Sequence, residues 1–159
     1  YKGVAITEVV VAFRAAITSP KWLDNATLVP TPPSKAKNDP MYDDRMVRML
    51  RAIRHAPPLD TRELVIQTQS TAAAHETDAR PSPDEIEAVY RIDAKLLAPP
   101  PKVIAVFDDL LTTGAHFVAM KRVLGNQFPG VPIIGLFVAR RAPKSALTDF
   151  EGLFGSGDS

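Results

Sequence analysis

The sequence predicts an α/β domain, Rossmann-like, with a mostly parallel sheet and helices on both faces. Three observations carry that prediction. Residues 103–107, Val-Ile-Ala-Val-Phe, form a short apolar run rich in β-branched residues, which suits a strand buried on both faces. Beyond a small polar loop at Thr112-Thr113-Gly114, apolar residues recur at helical spacing (Phe117, Met120, Leu124). Other short apolar runs, at 27–29, 63–67 and 131–139, are separated by amphipathic or polar stretches, the pattern of βα units.

The order within 103–116 is specific. A strand is followed by two carboxylates, Asp108 and Asp109, then by Leu110 and Leu111, then by Thr112, Thr113, Gly114, Ala115 and His116 at the start of a helix. In open α/β sheets ligands bind beyond the carboxyl ends of the strands. A loop of small residues entering a helix offers free N–H groups and the positive end of the helix dipole, which suits a phosphate. Thr112 and Thr113 add hydroxyl donors, and Gly114 lets the backbone approach closely. Adjacent aspartates would repel a phosphate, so they suit hydroxyls or a hydrated metal ion. A phosphate together with a vicinal diol describes a ribose 5-phosphate. The plainer reading is an ordinary βα turn with a polar tip.

This fourteen-residue stretch closely resembles the PRPP-binding signature of type I phosphoribosyltransferases, PRPP being 5-phosphoribosyl 1-pyrophosphate. The resemblance implies that Asp108 and Asp109 hold the ribose 2- and 3-hydroxyls as the catalytic pair. It gives Thr112, Thr113, Gly114, Ala115 and His116 the 5-phosphate. Members of that family usually carry Thr or Ser where this chain has His116, which either donates to the phosphate or is a surface residue without a role. Purine-salvage members often place an acid where Thr112 stands; this chain has none there.

The rest of the chain is read in order. Ile6, Val9, Val10, Phe13 and Ile17 recur at three- and four-residue spacing, predicting an amphipathic helix over 5–17 that packs on the core. A short strand at 27–29 runs into Pro30-Thr31-Pro32-Pro33-Ser34-Lys35-Ala36-Lys37, a proline-stiffened turn whose hydroxyl and lysines suit an anion. It resembles the pyrophosphate loop of type I phosphoribosyltransferases, above all that of the ComF-like branch. By that resemblance Ser34 and Lys35 take the pyrophosphate, with Lys37 as a weaker candidate. A solvated proline-lysine loop is the alternative.

A helix is predicted over 41–56, with Asp39, Asp43 and Asp44 favouring its start and Met46, Met49, Leu50 and Ile53 as its buried stripe. Arg45, Arg48, Arg51 and Arg54 recur every third residue, either a polyanion-binding strip or a solvated face. Arg45, nearest the proline loop, joins the pyrophosphate candidates. A second core strand is predicted over 63–67. Residues 68–85 are polar and broken by Pro81 and Pro83, and a strand returns at 89–92. Such an excursion is commonly functional. The resemblance makes it a flexible hood closing over PRPP, with His75 and Arg80 as its phosphate contacts, unless both are plain loop residues. The run at 131–139 predicts another core strand, with Arg140 and Arg141 at its carboxyl end.

The length of 159 residues fits a single domain, its core at about 27–141 and a frayed tail at 151–159. Nineteen basic against eighteen acidic side chains give a net charge of +1, no global argument for nucleic acid or membrane binding. The absence of cysteine excludes disulfides and thiolate metal sites and fits a reducing, cytoplasmic setting. It also departs from the ComF-like branch, whose members typically carry a cysteine-rich zinc element. No apolar run approaches the roughly 20 residues of a spanning helix.

The activity implied is transfer of a 5-phosphoribosyl group from PRPP to a nitrogen acceptor with release of pyrophosphate. Mg²⁺ is the implied cofactor, held mainly through PRPP and water. The alternative is a non-catalytic module that binds PRPP or a nucleoside monophosphate, linked to nucleic acid processing. A second copy of the chain and, more weakly, nucleic acid are the expected macromolecular partners.

Overall fold

Consecutive residues of the central strand face opposite layers. In β5 (Val103–Leu111), Ile104 and Val106 pack into one apolar cluster, and Ala105 and Phe107 into the other, as the two-residue period of a strand requires. β1 (Ala26–Pro30) repeats the division, with Leu28 on one side and Val29 on the other. Its five residues are all buried. A strand enclosed on both faces needs an apolar residue at nearly every position, which is why a run with little alternation marked β5 correctly.

This computed structural model describes residues 10–11, 21–54, 57–71 and 80–141. Besides β1 and β5 it contains α1 (Arg45–Ile53), β2 (Asp60–Thr61), β3 (Val65–Gln67), α2 (Pro83–Val89), β4 (Tyr90–Ile92), α3 (Ala115–Gln127) and β6 (Ile133–Arg140). Four strands form one parallel sheet in the order β2-β1-β5-β6. Ala26 stands opposite Val103 and Pro30 opposite Phe107. Ile104 stands opposite Ile133 and Leu111 opposite Arg140. α1 covers one face through Met46, Met49, Leu50 and Ile53, and α3 covers the other through Ala115, Ala119, Met120 and Leu124. The α/β class, the parallel sheet and the helices on both faces are as the sequence predicts.

Several elements differ from the sequence reading. Residues 63–67 do not supply a core strand: only Val65–Gln67 is extended, and it pairs antiparallel with β4 in a separate two-stranded ribbon. The place beside β1 goes to the two-residue strand β2. There the Thr27 hydroxyl donates to Asp60 at 2.7 Å, and Arg62 clamps both oxygens of Asp60 at 2.8 Å each. Polar anchoring of this kind leaves no apolar periodicity to read. The chain then turns so that Leu64 and Val65 reach the α3-side core.

The polar stretch 68–85 runs into a helix, α2, that the sequence reading missed. Its start is fixed by a capping box: the Ser82 hydroxyl accepts from the Glu85 N–H at 3.3 Å, and the Glu85 carboxylate accepts from the Ser82 N–H at 2.7 Å. α1 is shorter than predicted. Asp39 and Asp43 side chains accept from the N–H two residues on, Met41 and Arg45, at 2.9 and 3.0 Å, which holds 39–44 in turns. At the other end Arg54 is extended, and its guanidinium donates to the Pro57 carbonyl at 2.8 Å. β5 runs past the apolar run, so Asp108 and Asp109 lie within the strand rather than after it; pairing with β6 continues to Leu111. The helix predicted over 5–17 lies outside the described residues except for Val10 and Val11, which are helical. The tail at 151–159 also lies outside them. Among the described residues no helix is long and apolar enough to cross a membrane.

Candidate functional site

The strand order fixes where a ligand would sit. From β1 the chain crosses through α1 to β2 on one side, whereas from β5 it crosses through α3 to β6 on the other. The order therefore reverses between β1 and β5, and the loops leaving their carboxyl ends flank the crevice where open α/β sheets bind ligands. Those loops are 31–37 and 112–114, the two segments singled out as anion loops.

The alternation of β5 continues into the acidic pair. Asp109 meets the α1 layer: its Oδ2 accepts from Arg45 Nη2 at 2.9 Å. Asp108 lies towards Tyr90, in the other layer: burial raises the Tyr90 phenol pKa, and the Asp108 charge adds to that rise. Asp108 Oδ1 accepts from the Asp109 N–H at 2.9 Å. Burial, reinforced by the neighbouring Asp109 charge, pushes the Asp108 carboxyl up to about 7. Two adjacent carboxylates cannot both ionise freely when one is desolvated, and a carboxyl titrating near neutrality in a crevice marks a functional candidate.

Below the acids the loop turns into α3. Thr112 and Thr113 are exposed, and the Thr113 hydroxyl accepts from the Ala115 N–H at 3.4 Å. Gly114 is the N-cap with φ 79°, a left-handed conformation that a Cβ makes costly. An added Cβ would meet only Leu111 Cδ1, at 3.7 Å, so glycine is required here by backbone angle and not by crowding. The opening N–H groups of a helix have no carbonyl partner within it, and they face the crevice end of the sheet. His116 stands in this first turn, its Nδ1 2.8 Å from the Tyr90 hydroxyl. Burial lowers the imidazole pKa, opposed in part by the charge of Asp109, so the ring is neutral at physiological pH.

The proline loop is held by a dense set of bonds. Thr31 N–H donates to Phe107 O at 2.9 Å, tying it to β5. The Ser34 carbonyl accepts from Gln67 Nε2 at 2.7 Å and from the Thr71 N–H at 2.8 Å. Lys35 donates to the Thr71 carbonyl at 3.2 Å. Lys37 pairs with Glu63 at 3.2 Å, and Glu63 also accepts from the Tyr42 hydroxyl at 2.7 Å. The Thr31 hydroxyl oxygen is buried without a hydrogen-bond partner among the described residues, and Thr31 borders a cleft together with Lys35, Lys37, Tyr42 and Gln67.

The structure thus brings Asp108, Asp109, Arg45 and the 112–116 loop to one end of the sheet. Arg45, grouped with the pyrophosphate loop in the sequence, stands against Asp109. Lys35 and Lys37 are turned to Thr71 and Glu63, which lie outside the 31–37 loop. Arg80 is exposed ahead of α2, and His75 lies outside the described residues. Of the arginine row, Arg45, Arg48 and Arg54 carry ion pairs, to Asp109, Asp44 and Asp24. In the sequence Tyr90 is marked only as a residue of the strand at 89–92. The available signal was a tyrosine on a strand returning to the core, since a buried hydroxyl must find a partner. Comparison of the chain with protein-family models, with curated proteins and with solved structures found no match.

Proposed function

We propose that the protein is a type I phosphoribosyltransferase-like protein that binds PRPP with Mg²⁺ and transfers its 5-phosphoribosyl group to a nitrogen acceptor. The observation that carries this reading is the acidic pair on β5, leading through a left-handed Gly114 into the open start of α3, at the crevice between β1 and β5. It separates two chemical poles: carboxylates suited to a diol, and N–H and hydroxyl donors suited to a phosphate.

In this reading Asp108 and Asp109 hold the ribose 2- and 3-hydroxyls. Thr112, Thr113 and the N–H groups of Gly114, Ala115 and His116 hold the 5-phosphate. The acceptor nitrogen forms a bond to the anomeric carbon as the bond to pyrophosphate breaks, with the pyrophosphate taking the electron pair. The carboxylates favour the positive charge that develops on the sugar. Among the described residues no group of three or more His, Cys, Asp or Glu side chains could hold a metal. The crevice offers two carboxylates, a donor set that fits a hydrated Mg²⁺ held mainly by substrate oxygens and water. When bound, the ion would neutralise charge on the leaving pyrophosphate.

A second reading, a non-catalytic binder of PRPP or of a nucleoside monophosphate, is favoured by one observation. Lys35, Lys37 and Arg45, the cations a departing pyrophosphate would need, all have partners within the chain.

Calorimetric titration of PRPP with Mg²⁺ into the wild-type protein and into the Asp108→Asn/Asp109→Asn variant tests the site. Binding lost in the variant, followed by pyrophosphate release with a nitrogen acceptor, supports the enzyme. A nucleoside monophosphate bound without pyrophosphate release supports the binder. A wild-type protein that binds neither ligand overturns both.

A further inference from the structure

We propose that Tyr90 is a positioning residue: its hydroxyl donates to His116 Nδ1 and so presents the His116 Nε2–H as a donor to a phosphate at the start of α3. The inference rests on the reading of the 112–116 loop as a phosphate cradle, and it assigns the one residue of that loop whose side chain the signature leaves unexplained.

The hydroxyl and Nδ1 are 2.8 Å apart, an ordinary hydrogen-bond length. Either group could in principle donate, and burial decides between them. Tyr90 is 2 % exposed, and its hydroxyl has no other hydrogen-bond partner among the described residues. Burial and the nearby Asp108 charge keep the phenol protonated, and burial keeps the imidazole neutral. A neutral imidazole has one N–H and one acceptor nitrogen. If Nδ1 carried the proton, the phenol would accept and its own buried proton would be left without an acceptor, which buried polar groups avoid. If the phenol donates, both groups are satisfied and the ring proton must lie on Nε2. The hydrogen bond at one ring nitrogen thus sets the chemistry of the other.

The consequence is a donor that needs no protonation. A serine or threonine side chain in this turn could rotate to donate or to accept. A histidine fixed at Nδ1 can only donate from Nε2, and it reaches further from the helix. Because Tyr90 lies on β4, the ribbon that flanks residues 68–85 holds this donor in place.

The test uses the ¹⁵N-labelled 159-residue chain at mildly alkaline pH. Ring ¹⁵N–¹H correlation spectra report which nitrogen of His116 bears the proton, and titration with ribose 5-phosphate reports its contacts. The expected result is an Nε2–H tautomer in the wild type whose signal moves with ligand. Tyr90→Phe should mix the tautomers and weaken ribose 5-phosphate about tenfold, the scale of one hydrogen bond to a charged group. In a His116→Thr background, where the threonine hydroxyl donates from the same turn, Tyr90→Phe should have no effect on affinity. An Nδ1–H tautomer in the wild type, an unchanged tautomer in Tyr90→Phe, or an equal affinity loss in both backgrounds would overturn the proposal. Amide shifts at Gly114 and Ala115 without movement of Nε2–H would overturn this inference while leaving the phosphate cradle intact. No ligand-induced shift anywhere in the loop would sink both.

Discussion

Arg45 Nη2 and Asp109 Oδ2 stand 2.9 Å apart, joining the first turn of α1 to the end of β5. Both side chains are well exposed, at 48 % and 40 %, so solvent screens the pair and its worth to folding is small. It also touches the crevice: burial and the Asp109 charge raise the Asp108 carboxyl, and the Arg45 charge draws it down a little against them. Arg45→Ala should therefore change urea stability by less than about 1 kcal/mol while raising the Asp108 pKa further above 7. A carboxyl ¹³C titration checks this, and a fall in the Asp108 pKa would contradict it.

Asp108 makes stability depend on pH with an unusual sign for a carboxylate. Its folded pKa, about 7, lies above the ordinary value of 3.8, so between those values the folded chain binds more proton than the unfolded chain. The contribution of Asp108 is most favourable below about pH 4 and is lost as pH rises towards and through 7. Asp108→Asn removes the ionisation, and its amide oxygen can still accept from the Asp109 N–H. We expect the variant to be more stable than wild type by roughly 2–4 kcal/mol above pH 8, with the difference vanishing near pH 4. Chemical denaturation across that range is the measurement. A variant less stable than wild type at high pH would show that Asp108 is not held desolvated.

His116 acts in the opposite direction. Its pKa is lowered by burial, so the unfolded chain binds more proton between the folded value and 6.5. Stability from this group is complete above the ordinary histidine value and declines as pH falls below it. Among the described residues the Tyr90 hydroxyl bonds its ring, and the Asp109 charge opposes the effect of burial. In an Asp108→Asn background, which silences the opposing carboxyl, replacing His116 with Thr should flatten the remaining loss of stability between about pH 6.5 and 5. An unchanged slope would place that loss elsewhere.

Gly114 and Gly130 have nearly the same backbone angle, φ 79° and 80°, but only Gly114 lies in the crevice. Alanine at either position should cost about 1–2 kcal/mol of stability. Only Gly114→Ala should also weaken PRPP binding, because its strain falls on the loop that carries the donors. Equal loss of ligand affinity in both variants would mean that the loop is not the phosphate site.

The capping box of α2 gives a test remote from the crevice. Ser82→Ala removes the hydroxyl that accepts from Glu85 N–H and should cost about 1 kcal/mol, read as a lower urea midpoint. Because α2 packs on the core through Ile86, an unchanged midpoint would show that the helix is fixed by packing alone.

Local signals placed β1, β5, β6, α3 and most of α1. Each of these elements carries its own apolar pattern: a continuous run for enclosed strands, three- and four-residue spacing for helices. The Ser82-Pro83-Asp84-Glu85 cap was equally legible but was masked by the polar composition around it. β2 and the β3–β4 ribbon were not legible. A two-residue strand anchored by Thr27, Asp60 and Arg62 has no period, and whether 65–67 joins the main sheet or a separate ribbon depends on which edge it meets.

The sequence by itself determined the central strand, the acidic pair, the glycine turn and the helix that follows, because all four are written in neighbouring residues whose preferences are local. Only the tertiary structure decided what surrounds them. Asp109 meets an arginine 64 positions away in the chain. His116 meets a tyrosine 26 positions away, and Asp108 is held near neutrality by burial that no spacing encodes. Desolvation and pairing at a distance follow from how layers stack on the sheet, and that stacking exists only once the chain has folded.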